Sequence, residues 1–298
     1  MAERFELLDQ AIEAIVGGAT EIAIPRDLEP LVAVAAVLRD LPDPEFKRRL
    51  GGRMTMTATS PRVLDVTPYL VAENVEGLIE FVKRVFDAEE VMRATGSAGG
   101  THCEVRLRGK TVMIGGGLPG RSNLGALHVF VPDVDAAHQR AVDAGGTSLY
   151  APMDQEYGSR DSAILDPFGN HWYIATQAGR EGQPDVMPYF HPIGAPSMID
   201  FLQNALGAEV LDRHESEGSV MHAKLRLGAA VVELGEAHGQ WQPIPMMLLA
   251  NVDNADDAYA RAVAAGAKSL FAPKKVEYGR SGAVEDAFGN QWHLTAEK

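Results

Sequence analysis

Cysteine is nearly absent from this chain: Cys103 is the only one in 298 residues. An internal disulfide framework is therefore excluded, and a reducing compartment is expected. Basic residues are also scarce, 27 against 41 acidic ones, for a formal net charge of -14. Such a surface repels nucleic acid and anionic lipid; it serves solubility, and it would steer cationic ligands if the acids cluster. No apolar run is long enough to span a bilayer, and Met-Ala-Glu-Arg-Phe-Glu at the start lacks the apolar core of a signal peptide. A cytoplasmic protein with neither a membrane nor a nucleic-acid partner is expected. Missing too is a phosphate-binding loop, since Gly115-Gly116-Gly117 is not followed by Lys and Ser or Thr. No Ser or Cys has the setting of a nucleophile, and Cys103 adjoins His102 on a strand where neighbours point to opposite faces.

What is there is repetition. Asp166-Pro167-Phe168-Gly169-Asn170-His171-Trp172 returns as Asp286-Ala287-Phe288-Gly289-Asn290-Gln291-Trp292. Each copy reads as a β-hairpin, because Asp and Gly-Asn punctuate two β-prone runs, Ser162 to Leu165 and His171 to Ala175 in the first. Gly169 and Gly289 would supply a positive φ at the turn, and the Phe and Trp side chains would anchor the hairpin to a core or a cavity wall. Other blocks keep the same register: Thr67-Pro68-Tyr69-Leu70 with Met187-Pro188-Tyr189-Phe190, His102 and Arg106 with His222 and Arg226, Glu156-Tyr157-Gly158 with Glu277-Tyr278-Gly279. A spacing held near 120 residues across so many blocks marks an internal duplication. With 46% apolar residues the chain can bury two ordinary domains.

Within each repeat the pattern of strand, helix and three strands runs twice. In the first copy Val66 to Val71 is a strand, Val75 to Phe86 a helix, and Glu89 to Ala94, His102 to Leu107 and Thr111 to Ile114 strands. The second half runs through strand Leu127 to Val131, helix Val134 to Ala144 and strands near Ser148 to Ala151, Ser162 to Leu165 and His171 to Ala175. The fold class is thus α+β, with four βαβββ modules in domains 59–179 and 180–298 whose curved sheets enclose a cavity for a small ligand. Residues 1–58 are not repeated and predict a helical leader. Phe5, Leu8, Ile12 and Ile15 share one helix face, Leu28, Leu31, Val32, Ala35 and Leu38 another, and Asp43-Pro44 opens a third helix.

On Pro68-Tyr69-Leu70, Glu80-Phe81, His102 with Arg106-Leu107, Asp133-Val134-Asp135, Ala144-Gly145, Tyr157-Gly158 with Arg160, and the Asp166 to Trp172 closure, the chain resembles the vicinal oxygen chelate superfamily. That group comprises glyoxalase I, bleomycin resistance proteins and extradiol dioxygenases, and the likeness is greatest to its PhnB-like, or demethylubiquinone-methyltransferase-like, branch. It spans residues 66 to 297 and implies two tandem glyoxalase-like domains. The metal enzymes of the superfamily hold their ion with His or Glu at four strand positions. By that resemblance the positions are Thr67, Met113, Ala126 and Tyr173 in the first repeat and Met187, Glu233, Met247 and His293 in the second. Only Glu233 and His293 are plausible ligands, short of the roughly three protein ligands that a catalytic site needs. If each repeat folds on itself, these two face one another as a weak metal site or as an acid and base pair. If modules pair across the repeats, each faces a poorer set.

Arg160 and Arg280, in the loop after Tyr157-Gly158 and Tyr278-Gly279, could clamp a ligand carboxylate or phosphate, or pair with Asp166 and Asp286 to hold the hairpin. Tyr157, Tyr278 and Tyr173 join them as candidate ligand contacts. Trp241, in the loop from Gly239 to Pro245, could cap a cavity mouth, whereas Trp172 and Trp292 read as core anchors and His102 and His222 as structural. The leading expectation is a small-molecule-binding protein, monomer or homodimer, without an essential metal; a cationic or aromatic ligand, such as an antibiotic, suits the acidic surface. Its rival is a divalent-metal lyase, isomerase or dioxygenase with Glu233 and His293 as its site in the second domain. A third possibility makes the leader and the first domain an interaction platform.

Overall fold

The computed structural model describes residues 62–96, 99–180 and 183–297. The expected helical leader lies outside these. The described residues form four modules of identical order. The first has β1 (Val63–Ala72), α1 (Val75–Phe86), β2 (Glu89–Thr95), β3 (Thr101–Leu107) and β4 (Lys110–Gly116). The second has β5 (Ala126–Phe130), α2 (Val134–Asp143), β6 (Thr147–Asp154), β7 (Ser159–Leu165) and β8 (His171–Gln177). The third runs β9 (Val186–Phe190), α3 (Ala195–Leu206), β10 (Glu209–Ser216), β11 (Ser219–Leu227) and β12 (Ala230–Leu234). The fourth runs β13 (Met247–Val252), α4 (Ala255–Ala264), β14 (Lys268–Val276), β15 (Gly279–Glu285) and β16 (Gln291–Glu297). The α+β class and the four βαβββ modules expected from the sequence are those seen.

The modules pair across the repeats. One eight-stranded sheet, in the order β14-β15-β16-β13-β1-β4-β3-β2, joins the first module to the fourth; the other, β10-β11-β12-β9-β5-β8-β7-β6, joins the third to the second. We call them the end sheet and the middle sheet. Each seam is antiparallel, with Val66 opposite Ala250 and Thr67 opposite Leu249 in the end sheet, and Leu127 opposite Pro188 in the middle sheet.

The buried cores follow the repeats instead. One apolar cluster runs from Leu70 to Val186, with Phe81 and Phe86 of α1 at 6.3 and 4.9 Å from Trp172. The other is drawn mainly from the second repeat and sets Phe190 6.2 Å from Trp292. Both Trp side chains are fully buried, as core anchors should be. Each repeat thus covers its sheet halves with its own two helices, while every sheet is shared. The helices are locally specified: α1 starts at Asn74, whose side chain accepts from the Gly77 N–H, and α2 at Asp133, which caps Ala136 in the same way.

The repeated stretch is the hairpin expected, with φ of 96° at Gly169 and 84° at Gly289. Its organising group is Asp166. That carboxylate is 3% exposed and accepts from the Phe168 and Asn170 amides, the Asn170 side chain and the Trp172 indole, all at 2.9 Å. Asn170 Oδ1 in turn accepts from Gly125 N at 2.9 Å, and Asn290 does the same for Met246 N. The closing hairpin of each repeat thereby fixes where β5 and β13, the strands at the seams, begin. Asp166→Ala would strand several buried donors at once. It is expected to lower unfolding free energy by about 3 kcal/mol in urea titrations, with Asp166→Asn losing less.

Candidate functional site

Strand alternation sends Val232, Leu234, Ala223, Leu225, Leu127, Val129 and Ile174 to the helices and leaves the other face of the middle sheet free of them. On that face stand His128, Tyr173, Tyr189, His222, Lys224 and Glu233. Glu233 is wholly buried. His128 Nδ1 lies 2.6 Å from its Oε2, while Lys224 Nζ and His222 Nε2 approach Oε1 at 3.2 and 3.6 Å as ionic neighbours without hydrogen-bond alignment. Burial alone would raise the Glu233 pKa. The charge and hydrogen bond of His128, together with His222, outweigh burial and hold it well below the ordinary carboxylate range. An ionised carboxylate can only accept, so Nδ1 of His128 donates.

Beside this cluster is an aromatic wall. Tyr173 lies 5.0 Å from Tyr189 and 5.5 Å from Trp241 between ring centres; Trp241 stacks on His191 at 5.9 Å and meets Tyr150 edge-on at 6.1 Å. The Tyr173 hydroxyl contacts His191 Nε2 at 2.7 Å. Burial, then the neighbouring His171 and His238, push the His191 pKa down to about 4, and burial raises that of Tyr173. At neutral pH the hydroxyl therefore donates to Nε2, and the His191 proton sits on Nδ1. That nitrogen is buried with no partner among the described residues, as is Nδ1 of His171. A bound acceptor group would satisfy such a donor. At the other end of the face, the Arg180 guanidinium lies 3.1 Å above the Phe130 ring, which is itself 4.2 Å from His128. A depression of about 570 Å³ lies elsewhere, lined by Ser197, Asp200, Phe201 and Arg261 on the helical side. Arg261 there already donates to the Asn204 carbonyl, so the chemistry is better placed on the sheet.

The structure separates the two residues expected to act together. Glu233 is on the middle sheet and His293 on the end sheet, because β12 pairs with β9 whereas β16 pairs with β13. The pairing that would make them one acid and base pair, or one metal site, does not form. Of the strand positions implied for a metal, the middle sheet brings Glu233 together with Ala126, Tyr173 and Met187, and the end sheet brings His293 together with Thr67, Met113 and Met247. Neither donor set fits a divalent ion, and at Glu233 the Lys224 ammonium already stands where a second cation would be repelled. Among the described residues, no three His, Cys, Asp or Glu side chains are arranged so that they could hold one ion, and in the Glu233 cluster the carboxylate is already engaged by His128.

The arginines are committed elsewhere. Arg160 pairs with Asp135 at 2.7 Å and Asp154 at 3.0 Å, and Arg280 pairs with Asp256, so neither holds Asp166 or Asp286. Each is drawn to an acid in the first turn of α2 or α4, closer than the hairpin. Tyr157 and Tyr278 are 67% and 60% exposed, at turns outside the aromatic wall, and the Tyr157 hydroxyl donates to Asp161. Tyr173 and Trp241 do join the site. His222 belongs to it as well, and His102 contacts the Tyr69 hydroxyl at 2.8 Å on the end sheet. Sequence reasoning missed His128, Lys224 and His191. Counting two residues on from Ala126, and two from His222, along their strands would have found the first two.

The family model of the glyoxalase/bleomycin resistance protein/dioxygenase superfamily matches residues 62–174 and 194–294. The chain belongs to this superfamily. Uncharacterized proteins of Mycobacterium bovis and Mycobacterium tuberculosis are 38% identical over 122 residues, which is 37% of this chain and 80% and 72% of theirs. Glyoxalase I from Zea mays superposes with a TM-score of 0.61 at 15% identity, covering 79% of this chain and 92% of its own. A Bacillus subtilis protein provisionally assigned as a dioxygenase gives 0.55 at 14% identity, covering 79% and 86%. At these identities the superpositions speak to the glyoxalase-like fold alone, and the superfamily hosts unlike chemistries on it.

The depressed Glu233 pKa carries a stability consequence with a definite sign. The contribution is complete above the unfolded carboxylate value, roughly 4.3, and is lost as pH falls toward the lower folded value. Thermal melts across the acid range should show the wild-type midpoint falling more steeply with decreasing pH than that of Glu233→Gln.

Proposed function

We propose that the protein binds a small organic acid with an aromatic or apolar body on the helix-free face of the middle sheet, without an essential metal. The observation that carries this is the ring of Lys224, His128 and His222 around the buried Glu233 carboxylate, with the wall of Tyr173, Tyr189, His191 and Trp241 adjoining. The net charge of the chain favours a cationic ligand, but on this face the carboxylate is already engaged by His128 and Lys224, and the Arg180 guanidinium lies at its far end. Lys224 would meet the acid group, the unpaired His191 N–H a carbonyl or hydroxyl, and the rings the body. Within the superfamily we place the chain in the PhnB-like branch, on Pro68-Tyr69-Leu70 and the Asp166 to Trp172 closure, and we keep 59–179 and 180–298 as its two domains.

A second reading, acid–base catalysis on the bound acid, is favoured by His128 alone. With Nδ1 held by Glu233, Nε2 has no hydrogen-bond partner among the described residues, and in the neutral ring it is the atom that would take a proton from the ligand. Protein-dependent solvent deuterium exchange into a bound 2-oxo acid, abolished in His128→Gln, would favour this reading; binding without exchange would leave the first.

Trp241 is the half-buried indole in the site, whereas Trp172 and Trp292 are sealed in the cores, so tryptophan emission reports on this face. Millimolar benzoate should quench it, Trp241→Phe should remove the response, and Lys224→Glu should weaken binding by about tenfold or more. Quenching that survives Lys224→Glu unchanged would sink the proposed anion contact. Added zinc or nickel should leave the melting temperature of the wild type where it was.

A further inference from the structure

The two sheets are built from equivalent modules, so each position on one has a counterpart on the other, and the counterparts differ in charge. Glu233 of the middle sheet corresponds to Met113 of the end sheet, Lys224 to Glu104 and His128 to Leu249, while Tyr189 and His222 correspond to Tyr69 and His102. The register confirms the match: Lys224 lies opposite Glu233 as Glu104 lies opposite Met113, and Tyr189 lies beside Glu233 as Tyr69 lies beside Met113.

The helix-free face of the end sheet is also the less filled of the two. Thr67, Tyr69, Glu104, Met113, Leu249 and His293 are all partly exposed there, whereas Ala126, Tyr173, Met187 and Glu233 are buried at the matching ground of the middle sheet. Among the described residues Glu104 has a single ionic contact, His102 Nε2 at 3.8 Å, which counts as an ion pair only when that imidazole is protonated. His293 Nε2 is buried without a partner among the described residues, and burial lowers the His293 pKa, which favours the neutral ring. His293 occupies the place of Tyr173, which in the middle sheet stands 5.0 Å from Tyr189 across the seam strand. An apolar floor of Met113 and Leu249 beside a partly exposed carboxylate held only by the long His102 contact makes a surface complementary to a cation with an apolar body.

We infer that the end sheet carries a second small-molecule site, separate from the one on the middle sheet and of opposite charge preference, for an aliphatic or aromatic amine whose ammonium faces Glu104 and whose body lies on Met113 and Leu249. One chain would then hold two unlike ligands. The seams make this workable, because each site draws on one module from each repeat and shares no module with the other.

The test uses benzylamine against benzoate, near-isosteres of opposite charge, on the full chain. Benzylamine binding, measured by calorimetry, should leave Trp241 emission unchanged, persist within twofold in Lys224→Met, and fall by about tenfold or more in Glu104→Lys and Leu249→Glu. Glu104→Gln, a milder change in case Glu104→Lys does not fold, should weaken it in the same direction while circular dichroism stays native. The inference is overturned if benzylamine does not bind at millimolar concentration, if it quenches Trp241, or if folded Glu104 variants bind it as the wild type does. Failure of benzoate with success of benzylamine would remove the proposed function of the middle sheet and leave this site standing.

Discussion

Everything in this molecule depends on the antiparallel seam between repeats. A βαβββ module leaves the outer side of its first strand unpaired, and a free strand edge of this kind exposes backbone donors and acceptors that must be matched. β1 finds β13, and β5 finds β9, so the first strand of every module is closed by a module from the other repeat. The helices cannot perform this closure because they pack on the opposite face. The outcome is a division of labour in which apolar burial is settled inside a repeat and backbone pairing between repeats. The binding faces then necessarily become joint property: Tyr150, Tyr173 and His128 come from the first repeat, Glu233, Lys224, Tyr189, His191 and Trp241 from the second.

Burying Glu233 at the centre of such a face is costly unless its charge is met, since an isolated ion in a low-dielectric setting loses several kcal/mol of solvation. The His128 hydrogen bond and the Lys224 ammonium meet it with groups of this chain. This compensation defines the site's chemistry: it leaves cations at the edge of a covered anion, and it leaves no coordinating lone pairs arranged around a vacant centre. Family membership therefore conveys the scaffold and the strand positions, while the residues at those positions are this chain's own.

Much of the fold was legible in the sequence because the duplication tests itself. The Asp166 and Asp286 stretches, the paired glycines and the two-residue alternation of the strands repeat in step, and α1 was bounded to the residue. Seam topology was not legible, since a strand such as Val63–Ala72 carries the same alternation whether its partner belongs to its own repeat or to the other. That ambiguity is why Glu233 and His293 could be thought neighbours. The acid partners of the arginines were not legible for a different reason: a surface Arg is satisfied by any acid within reach, and Asp135 and Asp256 precede it in a helix whose position only the folded chain reveals. His128 and Lys224 were hidden by ordinary surroundings, each a polar residue in an alternating strand.

The order of modules along the chain gives the two seams unequal histories. Leu127 and Pro188 are separated by about 60 residues, whereas Val63 and Val252 are separated by nearly 190. Joining the more distant pair from a free chain costs about 1 kcal/mol more in loop entropy, and during synthesis it must wait until most of the polypeptide has left the ribosome. The middle sheet can zip as soon as its two neighbouring modules exist. The end sheet is the clasp, and until it shuts β1, Val63–Ala72, waits with one edge open.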